Sequence, residues 1–144
     1  MSEAPIITIN HDSELKPQVY ALLHEVFVVE QAVPVELEID EYDEKATHVV
    51  YVENDAVVGT LRIVDKGEQA KIGRVAVKKS RRGEGLGREM MLFALEQAKQ
   101  LGFTGVFLES QTYAIGFYAK LGFQEEGEEF MDAGIPHKKM VMTI

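Results

Sequence analysis

Residues 71–87 read KIGRVAVKKSRRGEGLG, and this stretch decides how the fold is interpreted. A run rich in β-branched residues leads into five residues of which four are basic, and glycine then stands at positions 83, 85 and 87. From residue 85 onward apolar side chains recur at helical spacing, which predicts a helix whose buried face holds Leu86, Met90, Leu92, Phe93, Leu95, Ala98 and Leu101. Bare glycine backbone and the unpaired N–H groups of a first helical turn suit an anion such as phosphate.

This glycine-rich turn has competing interpretations. Lys78, Lys79, Arg81, Arg82 and Arg88 surround it with positive charge, and arginine can hold a phosphate through two parallel hydrogen bonds. A P-loop is excluded because no GKS or GKT follows the glycines. A dinucleotide fold is excluded because the spacing is G-x-G-x-G and KKSRR separates it from the strand. On charge and spacing alone, a solvated turn whose basic residues only aid solubility stays open.

The composition of the whole chain narrows the function classes. The 144 residues carry 24 Asp and Glu against 15 Lys and Arg, a net charge of −9, which argues against a nucleic-acid partner but allows a cationic substrate. No segment approaches the roughly 20 apolar residues of a membrane span, and the first residues lack a secretory signal. We therefore expect no membrane partner and a cytoplasmic location. Without cysteine the chain has no disulfide and no thiolate metal site.

On either side of the quoted stretch, strand-like and helix-like segments alternate. Three β-branched runs at 47–53, 56–64 and 69–77 are separated by Asn54-Asp55 and Lys66-Gly67, which predicts two hairpins. A strand at 105–110 should lie parallel to its predecessor, because a helix connects the two. The other predicted elements are a strand at 6–9, a helix at 15–27, a loop or short irregular helix after 31, a short helix at 112–121, and a strand pair at 123–131 and 137–143. The chain is interpreted as one α+β domain, residues 1–144, with a mixed sheet.

Two short motifs resemble signatures of the GCN5-related N-acetyltransferase (GNAT) superfamily. RRGEGLG, read from Arg82, matches the pattern R/Q-x-x-G-x-G/A. QTYAIGFYAKLGF at 111–123 is similar to N-x-x-A-x-x-F/L-Y-x-K-x-G-F, with Gln111 at the Asn position. VFVVEQAVPVELEIDEYD at 26–43 and DAGIPHKKM at 132–140 resemble the ElaA-like branch of that superfamily. Two weak motifs at the right separation and in the expected structural context form a strong joint signal.

The resemblance implies a fold and a co-substrate. The GNAT fold is a central, mostly antiparallel sheet flanked by helices, and its strands 4 and 5 are parallel and splay apart to admit acetyl-CoA. Backbone groups of Val75, Ala76 and Val77 would pair with the pantetheine arm, and N–H groups from Arg82 to Arg88 would hold the pyrophosphate. The acetyl-CoA-binding residues implied by the resemblance are Val75, Ala76, Val77, Arg82, Gly83, Glu84, Gly85, Leu86, Gly87, Arg88, Gln111 and Tyr118. No metal is implied.

The resemblance also implies catalytic roles, with one gap. Tyr118 matches the family tyrosine that stands near the sulfur as general acid, although its helix pattern also fits a core aromatic residue. Many members carry Glu where this chain has Gly73, so the general base stays open among Glu30, Glu38, Glu109 and His137.

The acceptor side of the implied site carries the remaining open points. Leu23 stands where ElaA-like sequences usually have Arg, which puts the acceptor specificity in doubt. The acidic run at 36–44 is either a solvated loop or one wall of an amine-binding cleft, and it lacks the order of a calcium loop. His11, His24, His48 and His137 show no metal-binding spacing.

These observations lead to one function hypothesis and one alternative. The hypothesis is an acetyl-CoA-dependent N-acetyltransferase that acts on a primary amine of a small molecule or a protein. The alternative is a non-catalytic acyl-CoA-binding sensor or interaction module with the same fold, which Gly73 keeps open. A nucleotide-binding regulator is disfavoured by the glycine spacing, and a homodimer is expected from the family alone.

Overall fold

The computed structural model describes residues 5–10, 12–33 and 45–144. Strands and helices follow one another in the predicted order. The strands are β1 (Ile6–Ile9), β2 (Thr47–Glu53), β3 (Ala56–Lys66), β4 (Gln69–Val77), β5 (Gly105–Gln111), β6 (Gln124–Asp132) and β7 (Ile135–Thr143). The helices are α1 (Lys16–Leu23), which continues as a π-helical segment (His24–Glu30), α2 (Leu86–Gln100) and α3 (Ile115–Lys120). Two short 3-10 turns, Lys79–Arg81 and Thr112–Ala114, precede α2 and α3.

Within the described ranges, seven strands form one sheet in the order β1-β2-β3-β4-β5-β7-β6. All neighbours are antiparallel except β4 and β5, which are parallel as a helical crossover requires. Helix α2 packs on one face with Met90, Met91 and Ala94 fully buried, and α1 packs on the other face through Val19 and Leu22. The predicted fold, a mostly antiparallel sheet flanked by helices, is confirmed.

Two residues that the sequence predicts on the buried face of this helix are exposed, one of them in α2 and one directly after it. Leu92 is 42% exposed and Leu101 is 56% exposed, whereas Met91 and Ala94 are completely buried. Apolar residues are so frequent in this helix that spacing alone allows two faces, and the contact with β2, β3 and β4 selects between them. The prediction for Leu92 and Leu101 was therefore wrong.

The hairpin turns show where turn chemistry fixes the strand register. Asn54 and Asp55 both have positive φ, 51° and 64°, as a two-residue type I′ turn requires, which confirms the predicted hairpin. The next turn lies one residue later than predicted, at residues 67–68, where Gly67 has a φ of 90°. The last hairpin is tighter than expected, because Ala133 also adopts positive φ and β7 begins directly after Gly134.

Strands β4 and β5 separate after a short paired stretch, and this opens the functional cleft. They pair with each other at three positions, from Gln69↔Gly105 to Lys71↔Phe107. From there to their ends they are no longer paired with each other. A β-bulge in β4 opposite β3 accompanies the separation, with Arg74 at a φ of 51°. Bulges bend a strand and increase its twist, so the bulge turns the end of β4 away from β5.

The length and hydropathy of the helices show whether one of them could span a membrane. No helix in the described part of the chain is long and apolar enough to cross a membrane.

Candidate functional site

A cleft of about 430 Å³ lies between the splayed ends of β4 and β5. One wall is the stretch of β4 from Lys71 to Val75, and the opposite wall is β5 from Leu108 to Gln111. The π-helical segment with Phe27, the turn before α3 with Tyr113, and the β6–β7 hairpin complete the rim. A cleft between parallel strand ends exposes unpaired backbone groups, and an extended ligand can pair with them as an added strand.

Tyr118 lies in the wall of this cleft, as the sequence motif predicted. Its ring is 9% exposed and meets the rings of Phe117 and Phe123 edge-on, at centroid distances of 5.0 and 6.0 Å. Burial, with a smaller contribution from Tyr113, raises the pKa of the Tyr118 hydroxyl from 10.0 to about 12. A tyrosine hydroxyl is protonated at neutral pH at its ordinary pKa, and burial favours that neutral form further. The two interpretations of Tyr118 are compatible, because it is both a core aromatic residue and a cleft residue.

His137 enters the same cleft from β7. Its Nδ1 lies 2.7 Å from the carbonyl oxygen of Ile135, and its ring stacks on Phe130 with a centroid distance of 5.8 Å. The side chain is 8% exposed, so the residue is almost completely buried while still lining the cleft.

The other base candidates have different surroundings. Glu109 lines the cleft but forms an ion pair with Lys71 across the two walls, at 2.5 Å. Glu30, at the end of the π-helical segment, forms an ion pair with Arg82 at 2.6 Å and stands outside the cleft wall. Glu38 lies outside the described residues. The structure thus brings two of the four candidates, Glu109 and His137, to the cleft.

Gly73 also lines the cleft, at the position where many GNAT members carry Glu. A Cβ atom added there meets no other atom within 4 Å, and the backbone does not have positive φ. The glycine is therefore not required by packing or by backbone conformation. Its absent carboxylate changes the chemistry of the cleft and leaves the fold intact.

The glycine-rich turn leads directly into α2. Gly83 and Gly85 have left-handed φ values of 82° and 88°, and an added Cβ at either meets nothing within 4 Å. Helix α2 then begins at Leu86, whose side chain is buried. At Gly87 an added Cβ would lie 3.5 Å from the Phe117 ring, an ordinary van der Waals distance, so packing against α3 does not require glycine there.

The basic residues of the turn divide into two groups. Arg81 is bound by Glu53 and Glu84, and its guanidinium lowers the pKa of the Glu53 carboxyl through hydrogen bonds. Arg82 donates from Nε to the carbonyl oxygen of Val77 at 3.1 Å and from Nη2 to Glu30. Exposed basic side chains at Lys78, Lys79 and Arg88 border the same turn. The ion pairs Arg81–Glu53 and Arg82–Glu30 could not be seen in the sequence, because the partners are 28 and 52 residues apart.

The residues predicted to pair with the pantetheine arm lie in the part of β4 that is not hydrogen-bonded to β5. Val75 lines the cleft, while the Ala76 side chain is buried in the cluster formed with α1. Val77 offers a carbonyl that Arg82 already contacts. Gln111 lines the opposite wall and donates from Nε2 to Oε1 of Gln31 at 2.7 Å.

Three residues of the cleft were missed by sequence reasoning. Arg62 lines it from β3 with 8% exposure, and Gln31 and Arg74 lie on other walls. Arg62 carried a usable signal, because a charge inside the apolar run AVVGTLRIV indicates a buried polar environment. With Lys71 and Arg74 it gives the described walls three basic side chains against two acidic ones, Glu109 and Asp132. The predicted acidic wall at 36–44 lies outside the described residues, where it stays a prediction.

In the ranges that the structure describes, no three His, Asp or Glu side chains gather closely enough to hold a metal ion.

Comparison with known proteins identifies the family to which this chain is similar. The family model of the acetyltransferase (GNAT) domain matches residues 10–144. The "uncharacterized N-acetyltransferase YjcF" of Bacillus subtilis is 39% identical over 132 residues, which cover 91% of this chain and 94% of that protein.

Solved structures give the same result for the fold. An acyl-CoA N-acyltransferase from Pseudomonas aeruginosa superimposes with a TM-score of 0.86 at 32% identity, covering 94% of this chain and 97% of the other. Escherichia coli ElaA superimposes with a TM-score of 0.82 at 32% identity, with the same coverage of 94% and 97%.

Proposed function

This chain belongs to the GNAT acetyltransferase family, in its ElaA-like branch, and from that premise we propose that it transfers the acetyl group of acetyl-CoA to a primary amine. The acceptor is an amine of a small molecule or of a protein. The observation that carries the proposal is the cleft that Tyr118 lines beside the unpaired edge of β4, in a chain whose glycine-rich turn leads from β4 into α2.

The described residues fit acetyl-CoA as the acyl donor. The N–H groups at the start of α2 and the open backbone at Gly83 and Gly85 suit a pyrophosphate, because the helix dipole adds positive potential there. Lys78, Lys79 and Arg88 would add charge from solvent-exposed positions. The unpaired edge of β4 from Ile72 onward suits the amide groups of a pantetheine arm.

Acetyl transfer would require three groups of this chain. A backbone N–H on the strand that contains Val77 would stabilise the oxyanion that develops on the thioester carbonyl, a contribution of about 2.7–4 kcal/mol for one well-placed donor. Tyr118 would donate its hydroxyl proton to the leaving thiolate of coenzyme A. A third group must accept a proton from the amine, because only a neutral amine is nucleophilic.

A non-catalytic acyl-CoA-binding module is the second candidate, and Gly73 is the observation that favours it. The cleft has open space at this position, so the missing carboxylate is not replaced by another atom in contact with the strand. In that case acetyl-CoA would bind in the same cleft, and no amine would be acetylated.

One experiment separates the two candidates. Acetyl-CoA is added to the purified protein with a panel of small amines, polyamines and lysine peptides, and the release of free coenzyme A thiol is followed. Amine-dependent release supports the acetyltransferase. A rise in melting temperature with acetyl-CoA, without release for any amine, supports the binding module and rejects the enzyme.

The controls use the geometry of the cleft. Tyr118→Phe should keep the acetyl-CoA-dependent rise in melting temperature and lose thiol release. Gly85→Val should lose both, because a β-branched residue is strained at a φ of 88° in the turn that would hold the pyrophosphate. The cytoplasmic location and the homodimer stay predictions from sequence and family.

A further inference from the structure

We propose that His137 is the general base that takes the proton from the acceptor amine, in place of the carboxylate that Gly73 lacks. This inference rests on the proposed acetyl transfer and assigns one of its three necessary groups. It follows from the tautomer of the imidazole, from the rigidity of the ring and from its place in the cleft.

The hydrogen bond of Nδ1 fixes the tautomer. Nδ1 lies 2.7 Å from the Ile135 carbonyl oxygen, which can only accept a hydrogen bond, so the ring proton resides on Nδ1. A neutral imidazole with its proton on Nδ1 carries its basic lone pair on Nε2. The backbone therefore holds His137 in the form that can accept a proton at Nε2.

The ring is also held in one orientation. Its face stacks on Phe130 with an interplanar angle of 26°, and the side chain is 8% exposed. His137 pairs with Phe130 on β6 and with Gln111 on β5, so strands on both sides fix its backbone. A base that is oriented before the substrate binds loses little entropy in the reaction.

The competing groups in the described cleft are less suited. Glu109 is already held by Lys71 at 2.5 Å, and Asp132 lies at the hairpin rim. The remaining charged residues of the cleft walls, Arg62 and Arg74, are cations and accept no proton. Among the cleft residues that the structure describes, His137 is thus the group with a lone pair fixed by its surroundings.

The proton balance of the step is complete with His137 and Tyr118. The amine nitrogen attacks the thioester carbonyl carbon, a C–N bond forms, and the C–S bond breaks with its electron pair on sulfur. His137 takes the proton from nitrogen at Nε2, and Tyr118 gives its hydroxyl proton to the thiolate. Solvent then returns the two groups to their starting states, so the products are an amide and free coenzyme A thiol.

The test compares His137→Asn with the wild type and with His24→Asn. An asparagine amide can still donate to the Ile135 carbonyl, but it offers no basic lone pair, so the local hydrogen bond is kept and the base is removed. His24 is an exposed histidine of the π-helical segment outside the cleft wall, which makes it a matched control. We expect His137→Asn to lower kcat/KM for the best amine of the panel by about 100-fold or more, and His24→Asn to leave it unchanged.

A pH profile distinguishes a base from a structural residue. With the same amine, the ionisation of the acceptor is common to both proteins, so the difference between their profiles reports on the enzyme. The ratio of the wild-type to the His137→Asn kcat/KM, in which the ionisation of the amine cancels, should fall toward acid pH because protonation disables the base of the wild type, while the rise in melting temperature with acetyl-CoA is kept in the variant. A variant within about threefold of the wild type, or a ratio that does not change with pH, overturns the assignment. If the wild type releases no thiol with any amine, the proposed acetyl transfer itself fails, and the assignment fails with it.

Discussion

The buried hydroxyl of Tyr118 makes a quantitative prediction about stability at alkaline pH. Its pKa is raised from 10.0 to about 12 because the charged phenolate would be buried in the cleft wall. A group whose pKa is raised in the folded state stabilises the fold fully below the unfolded pKa. That stabilisation is lost as pH rises from 10 through 12. Tyr118→Phe removes this dependence and keeps the two edge-on ring contacts.

The size of the effect follows from the shift. Each pKa unit corresponds to about 1.36 kcal/mol, so the complete effect is about 2.7 kcal/mol. Between pH 9 and pH 11 the unfolding free energy falls by about 1.3 kcal/mol of that amount. Over this range Tyr118 ionises almost completely in the unfolded chain and hardly at all in the folded protein. The pKa of Tyr51 is also raised, chiefly by burial, but Tyr51 is present in both proteins and its contribution cancels in the difference.

The assay is urea unfolding of wild type and Tyr118→Phe at pH 9, 10 and 11. The difference in unfolding free energy between them should change by about 1.3 kcal/mol in favour of the variant across this range. Tyr113→Phe is the comparison variant, because Tyr113 is 79% exposed and makes only the smaller contribution to the raised pKa of Tyr118, so its difference from wild type should change less with pH than that of Tyr118→Phe. A difference for Tyr118→Phe that is independent of pH would show that the hydroxyl is solvated, and the argument for a protonated donor in a dry wall would fail.

Three further predictions concern the cleft and the turn. Gly73→Glu should fold with a melting temperature near that of the wild type, and in the His137→Asn background it should recover at least tenfold in kcat/KM. Gly73→Gln is the control, and recovery by both variants would contradict a role for the carboxylate. Gly85→Val should lower the unfolding free energy by about 1–3 kcal/mol, because its φ is 88°, whereas Gly116→Ala in α3 should be neutral or stabilising in the same denaturation assay. Glu30→Gln should tighten coenzyme A binding two- to fivefold by calorimetry, because it releases Arg82 from an ion pair worth about 0.5–1 kcal/mol, and weaker binding would show that Glu30 orients Arg82.

Sequence reasoning succeeded where the physical cause is local. The positive φ at Asn54 and Asp55 and the change from period 2 to period 3.6 around the glycine-rich turn depend on neighbours within a few residues. The order of the elements along the chain and the parallel β4–β5 pair followed from these local signals and from the family resemblance, whereas the insertion of β7 between β5 and β6 was not predicted. Residues of α2 were less predictable, because Leu92 and Met91 are equally apolar and only the sheet decides which is buried.

The general base was also not predictable from the sequence alone. The sequence left Glu30, Glu38, Glu109 and His137 open, since spacing says nothing about partners that are far apart along the chain. The structure gives Glu30 and Glu109 each a cationic partner, from residues 52 and 38 positions away, and it gives His137 a carbonyl two residues away that fixes its tautomer.

The sequence by itself determined the family, the order of strands and helices, and the glycine-rich turn before α2, because backbone preferences and apolar periodicity are properties of short segments. Only the tertiary structure decided where β4 leaves β5, how the charges of Arg81 and Arg82 are compensated, and which polar groups share the cleft with Tyr118. These features depend on a bulge opposite β3 and on contacts between distant residues. These contacts form only when the sheet brings the distant residues together. The surroundings of residues 73–87 are therefore set by the tertiary structure.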